Sequence, residues 1–134
     1  MKRITTFLLL AVLISCENSL EPPNSNTDYK KIIGNPVIID NFEVAEYDFP
    51  RDMNWDEANK ACEKLGDDWR LPTKDDLNTL YIKRDKIGGF ANVNYWSSTE
   101  ADSYYEAWLQ HFYNGVQNST NKSDKYHVRV IRSF

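Results

Sequence analysis

Few residues in this 134-residue chain are of types that do chemistry, and they are scattered: Cys16 and Cys62, His111 and His127, and the carboxylates Asp56, Asp75 and Asp76. A zinc site needs ligands converging at short spacing, and neither histidine has a cysteine or carboxylate at such spacing. Calcium takes six to eight oxygens from loops. Asp75 and Asp76 instead fall in the first turn of a helix, where a carboxylate complements the helix dipole. Asn54-Trp55-Asp56 also sits at a helix start, where capping explains it. Cys62 follows Trp55 and Ala58 at helical spacing and reads as a small buried hydrophobe rather than a nucleophile. Arg70 and Arg132 read as structural, satisfying backbone carbonyls or pairing with acids. The chain is therefore expected to carry no metal and no cofactor, and not to be an enzyme.

The last third is richer in recognition chemistry. From Ala91 onward, Asn, Tyr, Ser, Asp and His dominate, and Tyr offers contact area at low entropy cost while Asn and Ser offer adaptable hydrogen bonds. Asp102, Tyr104, Tyr105, His111, Tyr113, Asn118, Asn121 and Tyr126 are the expected ligand contacts, on one face built by residues 102–105, 111–113 and 118–127.

The elements that position them can be read from period and caps. Val37-Ile38-Ile39 and Phe42 to Tyr47 carry strand formers around an Asp40-Asn41 turn. Asn54 with Glu57 forms a capping box, and Trp55, Ala58, Cys62 and Leu65 line one helical face until Gly66 ends it. Thr73 with Asp76 repeats the device; Pro72 fixes the entry, and Leu77, Leu80 and Tyr81 form the buried stripe. Beyond Gly88-Gly89 the period becomes extended: Tyr95 to Thr99, Ala107 to Tyr113 and Tyr126 to Arg132 are expected strands, and Asn118 to Lys125 loop. Trp55, Trp69, Trp96 and Trp108 are expected to be structural, with Trp69 and Trp96 as core rings.

The N-terminus has a different character. Lys2 and Arg3 precede an apolar run from Ile4 to Ile14 that is too short to span a bilayer and has the form of a signal-peptide core. It ends in Leu13-Ile14-Ser15-Cys16, which resembles the bacterial lipobox, whose cysteine receives diacylglycerol. Residues 1–15 are expected to be a lipoprotein signal peptide, 16–35 the lipidated Cys16 and a disordered Pro/Asn/Ser-rich tether, and 36–134 one folded domain. Glu17 in place of Asp directs the expectation to the outer membrane or cell surface. With Cys16 lipidated, Cys62 is left without a disulfide partner. The chain has 16 basic and 20 acidic residues, net −4; loss of Lys2 and Arg3 leaves 14 against 20, or −6. An acidic surface argues against nucleic acid as a partner. The expected partners are the membrane, through the lipid, and a glycan or protein ligand met by a monomer.

The blocks Asn54-Trp55 to Ala61-Cys62, Trp69-Arg70-Leu71-Pro72-Thr73, Tyr95-Trp96-Ser97-Ser98-Thr99-Glu100, Ala107-Trp108 and Val128 to Arg132 resemble the Lcl C-terminal domain family of bacterial surface proteins, over nearly the whole folded part. The resemblance implies an α+β, C-type-lectin-like fold: two helices packed on a small, twisted, mostly antiparallel sheet with long loops. It also implies adhesion to sulfated polysaccharides, against which the acidic chain, lacking a dense Lys/Arg stripe, speaks. The Arg-Leu-Pro-Thr block is shared with formylglycine-generating enzymes, but no second cysteine stands near Cys62 for their chemistry. The Asn/Tyr/Ser-rich C-terminal region also resembles the variable part of diversity-generating-retroelement proteins, which bind targets. A structural or adhesin role in the envelope is the remaining alternative.

Overall fold

The computed structural model describes residues 26–134; the expected signal peptide and lipidation site, residues 1–15 and Cys16, and the rest of the chain up to residue 25 lie outside them. The element order is α1 (Asn26–Ile33), β1 (Val37–Ile39), β2 (Phe42–Val44), α2 (Trp55–Leu65), α3 (Lys74–Ile82), α4 (Arg84–Ile87), β3 (Asn94–Glu100), β4 (Glu106–His111), β5 (Gln117–Asn121) and β6 (Ile131–Ser133). The strands form two three-stranded antiparallel sheets, β1-β2-β6 and β3-β4-β5.

Both principal helices begin where their caps dictate. Asn54 accepts from Glu57 N–H at 2.9 Å while Glu57 accepts from Asn54 N–H at 3.1 Å. Thr73 and Asp76 repeat the exchange at the start of α3. Asp76 also takes the Arg70 guanidinium at 2.9 Å. Burial is the largest single influence on this carboxyl and pushes its pKa up. The bonds from Arg70 and Thr73 together outweigh it and hold the carboxyl below the ordinary range. A depressed carboxyl stabilises the fold above its unfolded value and stops doing so as pH falls through the folded one. Asp76→Asn is therefore expected to cost about 1 kcal/mol at neutral pH through the lost cap. Melting curves should show the gap to the parent closing below about pH 4; an undiminished gap there would contradict the assignment.

Tyr95 and Trp96 are neighbours on β3 and point to opposite faces of its sheet, and each anchors a different core. Trp96 packs with Trp69, Leu71, Leu109 and the α2 face of Ala58, Ala61, Cys62 and Leu65. Its indole N–H is satisfied by Met53 O at 2.8 Å. Tyr95 packs with Phe112, Leu77, Leu80, Phe42 and Ile131. Cys62 is buried, and burial followed by the Glu63 carboxylate pushes its thiol up to about 12, an inert group. A bulge after Trp96 shifts the β3–β4 register, and the buried Ser97 fills it by donating to Trp108 O at 2.7 Å.

Three expectations are corrected. The disordered tether does not extend to residue 35, because α1 occupies Asn26–Ile33 against α2. Ile32 is buried in the Trp96 core, and the carbonyls of Ile32 and Ile33 accept from Tyr47 and Glu46 N–H, both at 3.0 Å. Residues 118–125 are not all loop: β5 runs from Gln117 to Asn121, since β4 supplies a pairing edge that polar residues can use without apolar alternation. Residues 126–132 are regular strand only from Ile131. Before it, Tyr126 and His127 make isolated bridges to Met53 and Tyr95, and Val128 and Val130 accept from Phe49 and Ala45 N–H. Val128, Arg129, Val130 and Ile131 are all buried, so alternation fails because the segment is enclosed on both sides.

Candidate functional site

The expected ligand residues divide between the two ends of β4, whose six residues span about 17 Å. They do not form one face.

At the first end stand Tyr104 and Tyr105, in the β3–β4 turn just before Glu106. They are 78% and 71% exposed, with rings 5.5 Å apart and nearly perpendicular. Lys122, following β5, ties this end together. Its N–H donates to Tyr105 O at 2.9 Å, and its carbonyl accepts from Trp55 N–H at 3.0 Å. Its ammonium lies 4.4 Å from the Trp55 ring centre, 4.8 Å from that of Tyr104 and 2.8 Å from Glu100. A groove of about 310 Å³ runs between this turn and the start of α2, bounded there by Asn54 and Asp56 and on the other side by Asn121 and Ser123. Asn121 turns its side-chain oxygen back to Ser123, whose N–H and hydroxyl donate to it at 2.9 and 2.8 Å. Asp102 lies exposed in the same turn.

At the second end, His111 is held by Asn94 at Nδ1 and by Asn118 at Nε2, the latter at 3.0 Å, an arrangement that an Nδ1–H tautomer satisfies at both nitrogens. Tyr113 is exposed, and its ring rests 5.5 Å from that of His111. Tyr126 is half-buried, edge-on to Trp96 at 4.9 Å, which gives it a packing role. His127 pairs with Asp52 at 2.5 Å, and a shallow groove of about 360 Å³ lies beside it, lined in part by Asn92, Asn94 and Tyr113.

The residues expected to be structural are placed as follows. Trp69 is buried, with the Arg132 guanidinium 5.0 Å from its ring, and Arg132 also pairs with Glu43 at 2.7 Å. Trp55 donates to Ser97 O at 2.9 Å, and Pro72 O accepts from Ser98 N–H at 2.8 Å. Trp108 is half-buried, with the Lys74 ammonium 3.2 Å above its ring.

Sequence reasoning missed Arg129. Its side chain is fully buried and pairs with Asp48 at 2.5 Å, while its other nitrogens donate to the carbonyls of Ala45 at 3.1 Å and Gly89 at 2.7 Å. Asp48 also accepts from the Tyr95 hydroxyl at 2.6 Å; burial, then this carboxylate, raises the phenol well above its ordinary range and keeps it a donor. This network fixes residues 88–91 and the β2–α2 connection. It is enclosed by Phe90 and opens into neither groove just described.

Among the described residues, no group of three or more His, Cys, Asp or Glu could hold a metal ion. Excess EDTA is therefore expected to leave the melting temperature unchanged to within a degree or so. A chelator-dependent fall of several degrees would contradict this.

Three solved structures share the architecture. Botrocetin matches with a TM-score of 0.56 at 11% identity, over 75% of this chain and 98% of its own. EMS16, an antagonist of a collagen receptor integrin, matches at 0.55 and 12%, over 75% and 97%. The snake venom toxin convulxin matches at 0.58 and 8%, over 75% and 96%. The fold is accordingly α+β and C-type-lectin-like. No curated protein matches in sequence. The model of the Lcl C-terminal domain matches residues 26–132, nearly every residue that the fold comprises, and the chain belongs to that family.

Proposed function

We propose that this chain is a non-catalytic binding module, held by lipid at Cys16 on the bacterial outer membrane or cell surface, that recognises a glycan or protein ligand with the Tyr104/Tyr105 end of its second sheet. The observation carrying this reading is the pair of exposed rings itself. Tyr104 and Tyr105 expose most of their area beside a polar groove, where ligand contact would dehydrate them. The shape of the site supports binding over catalysis: the groove is open, and the described groups whose proton affinity is displaced, Tyr47, Cys62, Asp76 and Tyr95, lie elsewhere. The basic start, the apolar run and Cys16 support the anchor, and two or more acyl chains on one residue would make it stable.

Two measurements test the two halves. Metabolic labelling with a clickable fatty acid should mark the parent and not Cys16→Ala; label on the variant overturns the anchor. A glycan and protein array probed with the detergent-solubilised full-length chain should give discrete hits, and an array without hits overturns the binding reading.

A further inference from the structure

We infer that the Tyr104/Tyr105 groove takes an uncharged pyranose unit, stacked on the tyrosine rings and recognised without a metal ion; this rests on the binding role proposed above for the same end of the sheet. The inference follows from what the groove offers and what it has already used. Its one ammonium, Lys122, is neutralised by Glu100 at 2.8 Å, set against the Trp55 and Tyr104 rings and left with a side chain only 17% exposed. An anionic group entering here would find no uncommitted cation and would face the exposed Asp56 carboxylate. Sulfate and phosphate are disfavoured on that ground.

A cation fares no better. Lys122 already stands 4.8 Å from the Tyr104 ring centre, so a second positive charge on that ring would meet the first across a few ångströms. A protein epitope wants a desolvated apolar centre, with roughly 800 Å² buried on each partner. The other large exposed hydrophobic side chains, Ile38, Tyr47, Ile82, Tyr113, Val116 and Phe134, do not line this groove, and its rim is Asn, Asp and Ser.

What remains is two aromatic faces and a set of amide and hydroxyl groups. The C–H bonds on one face of a pyranose are polarised positive and suit the negative face of a phenol ring. The equatorial hydroxyls would reach the side-chain amides of Asn54 and Asn121 and the Asp56 carboxylate. Tyr104 and Tyr105 stand nearly perpendicular, forming a corner whose two walls contact a ring and its substituent at once. The Lys122 contacts to Trp55, Tyr104 and Glu100 hold that corner in place before a ligand arrives, which lowers the ordering cost of binding.

The test is a calorimetric titration of the full-length chain in detergent with cellobiose, maltose and N,N′-diacetylchitobiose, and with a heparin oligosaccharide. At least one neutral disaccharide should bind with a Kd of roughly 1 mM or tighter, unaffected by EDTA. Tyr104→Ala and Tyr105→Ala should each weaken it about tenfold or more, and Tyr105→Phe should keep most of the affinity. Silence of all three neutral sugars, or binding of heparin alone with a steep salt dependence, overturns the sugar assignment. Array hits confined to proteins and lost with the two tyrosines also overturn it while leaving the binding role standing. Sugar binding indifferent to both tyrosines overturns the placement.

Discussion

Asp48→Ala is expected to cost about 3–5 kcal/mol of folding stability, lowering the melting temperature by more than about 10 °C or abolishing the folded state. The reason is Arg129. Its guanidinium is fully enclosed, with Asp48 at 2.5 Å and the carbonyls of Ala45 and Gly89 on its remaining nitrogens. Those carbonyls satisfy donors but leave the charge unopposed once the carboxylate is gone. The Tyr95 hydroxyl loses its acceptor in the same step. Removing both charges should be milder than removing one, because an apolar pair of similar volume needs no desolvated ion. Urea unfolding of Asp48→Ala beside Asp48→Ala/Arg129→Met should therefore place the double variant above the single one. A single variant that melts within a degree or two of the parent would mean that Arg129 reaches water.

Trp96→Ala is expected to cost about 3–5 kcal/mol as well, through a cavity rather than a charge. Trp96 is wholly buried, touches the α2 face and Tyr126, and is fixed by the bond from its indole N–H to Met53 O. Truncation also leaves that carbonyl without its partner. Denaturation followed by far-UV circular dichroism checks it; a midpoint close to the parent's would show that the core collapses around the gap.

The helices could be read in advance because their start signals are local. Asn54 with Glu57 and Thr73 with Asp76 write the first turn in four residues, and the apolar stripe needs only the next two turns. β5 was hidden because Gln117-Asn118-Ser119-Thr120-Asn121 lacks apolar alternation; the strand exists through its pairing with β4. α1 was hidden in a polar stretch whose helix docks through Ile32 near its end. Arg129 escaped notice because a strand period would turn every second residue of Val128-Arg129-Val130-Ile131 outward, whereas the segment is buried on both sides. In the site, residue type was legible and placement was not. Tyr104, Tyr105 and Tyr113 look alike in sequence, but β4 sets the first two at one end and the third at the other.

That separation gives the most direct test of the account, whose central claim is that recognition belongs to the Tyr104/Tyr105 end. Tyr104→Ala/Tyr105→Ala and Tyr113→Ala should be compared with the parent on one glycan and protein array, after thermal melts show all three folded. The account predicts that the double variant loses the parent's signal and that Tyr113→Ala retains it. Retention by the double variant, or loss by Tyr113→Ala alone, would place recognition at the His111/Tyr113 end and contradict it.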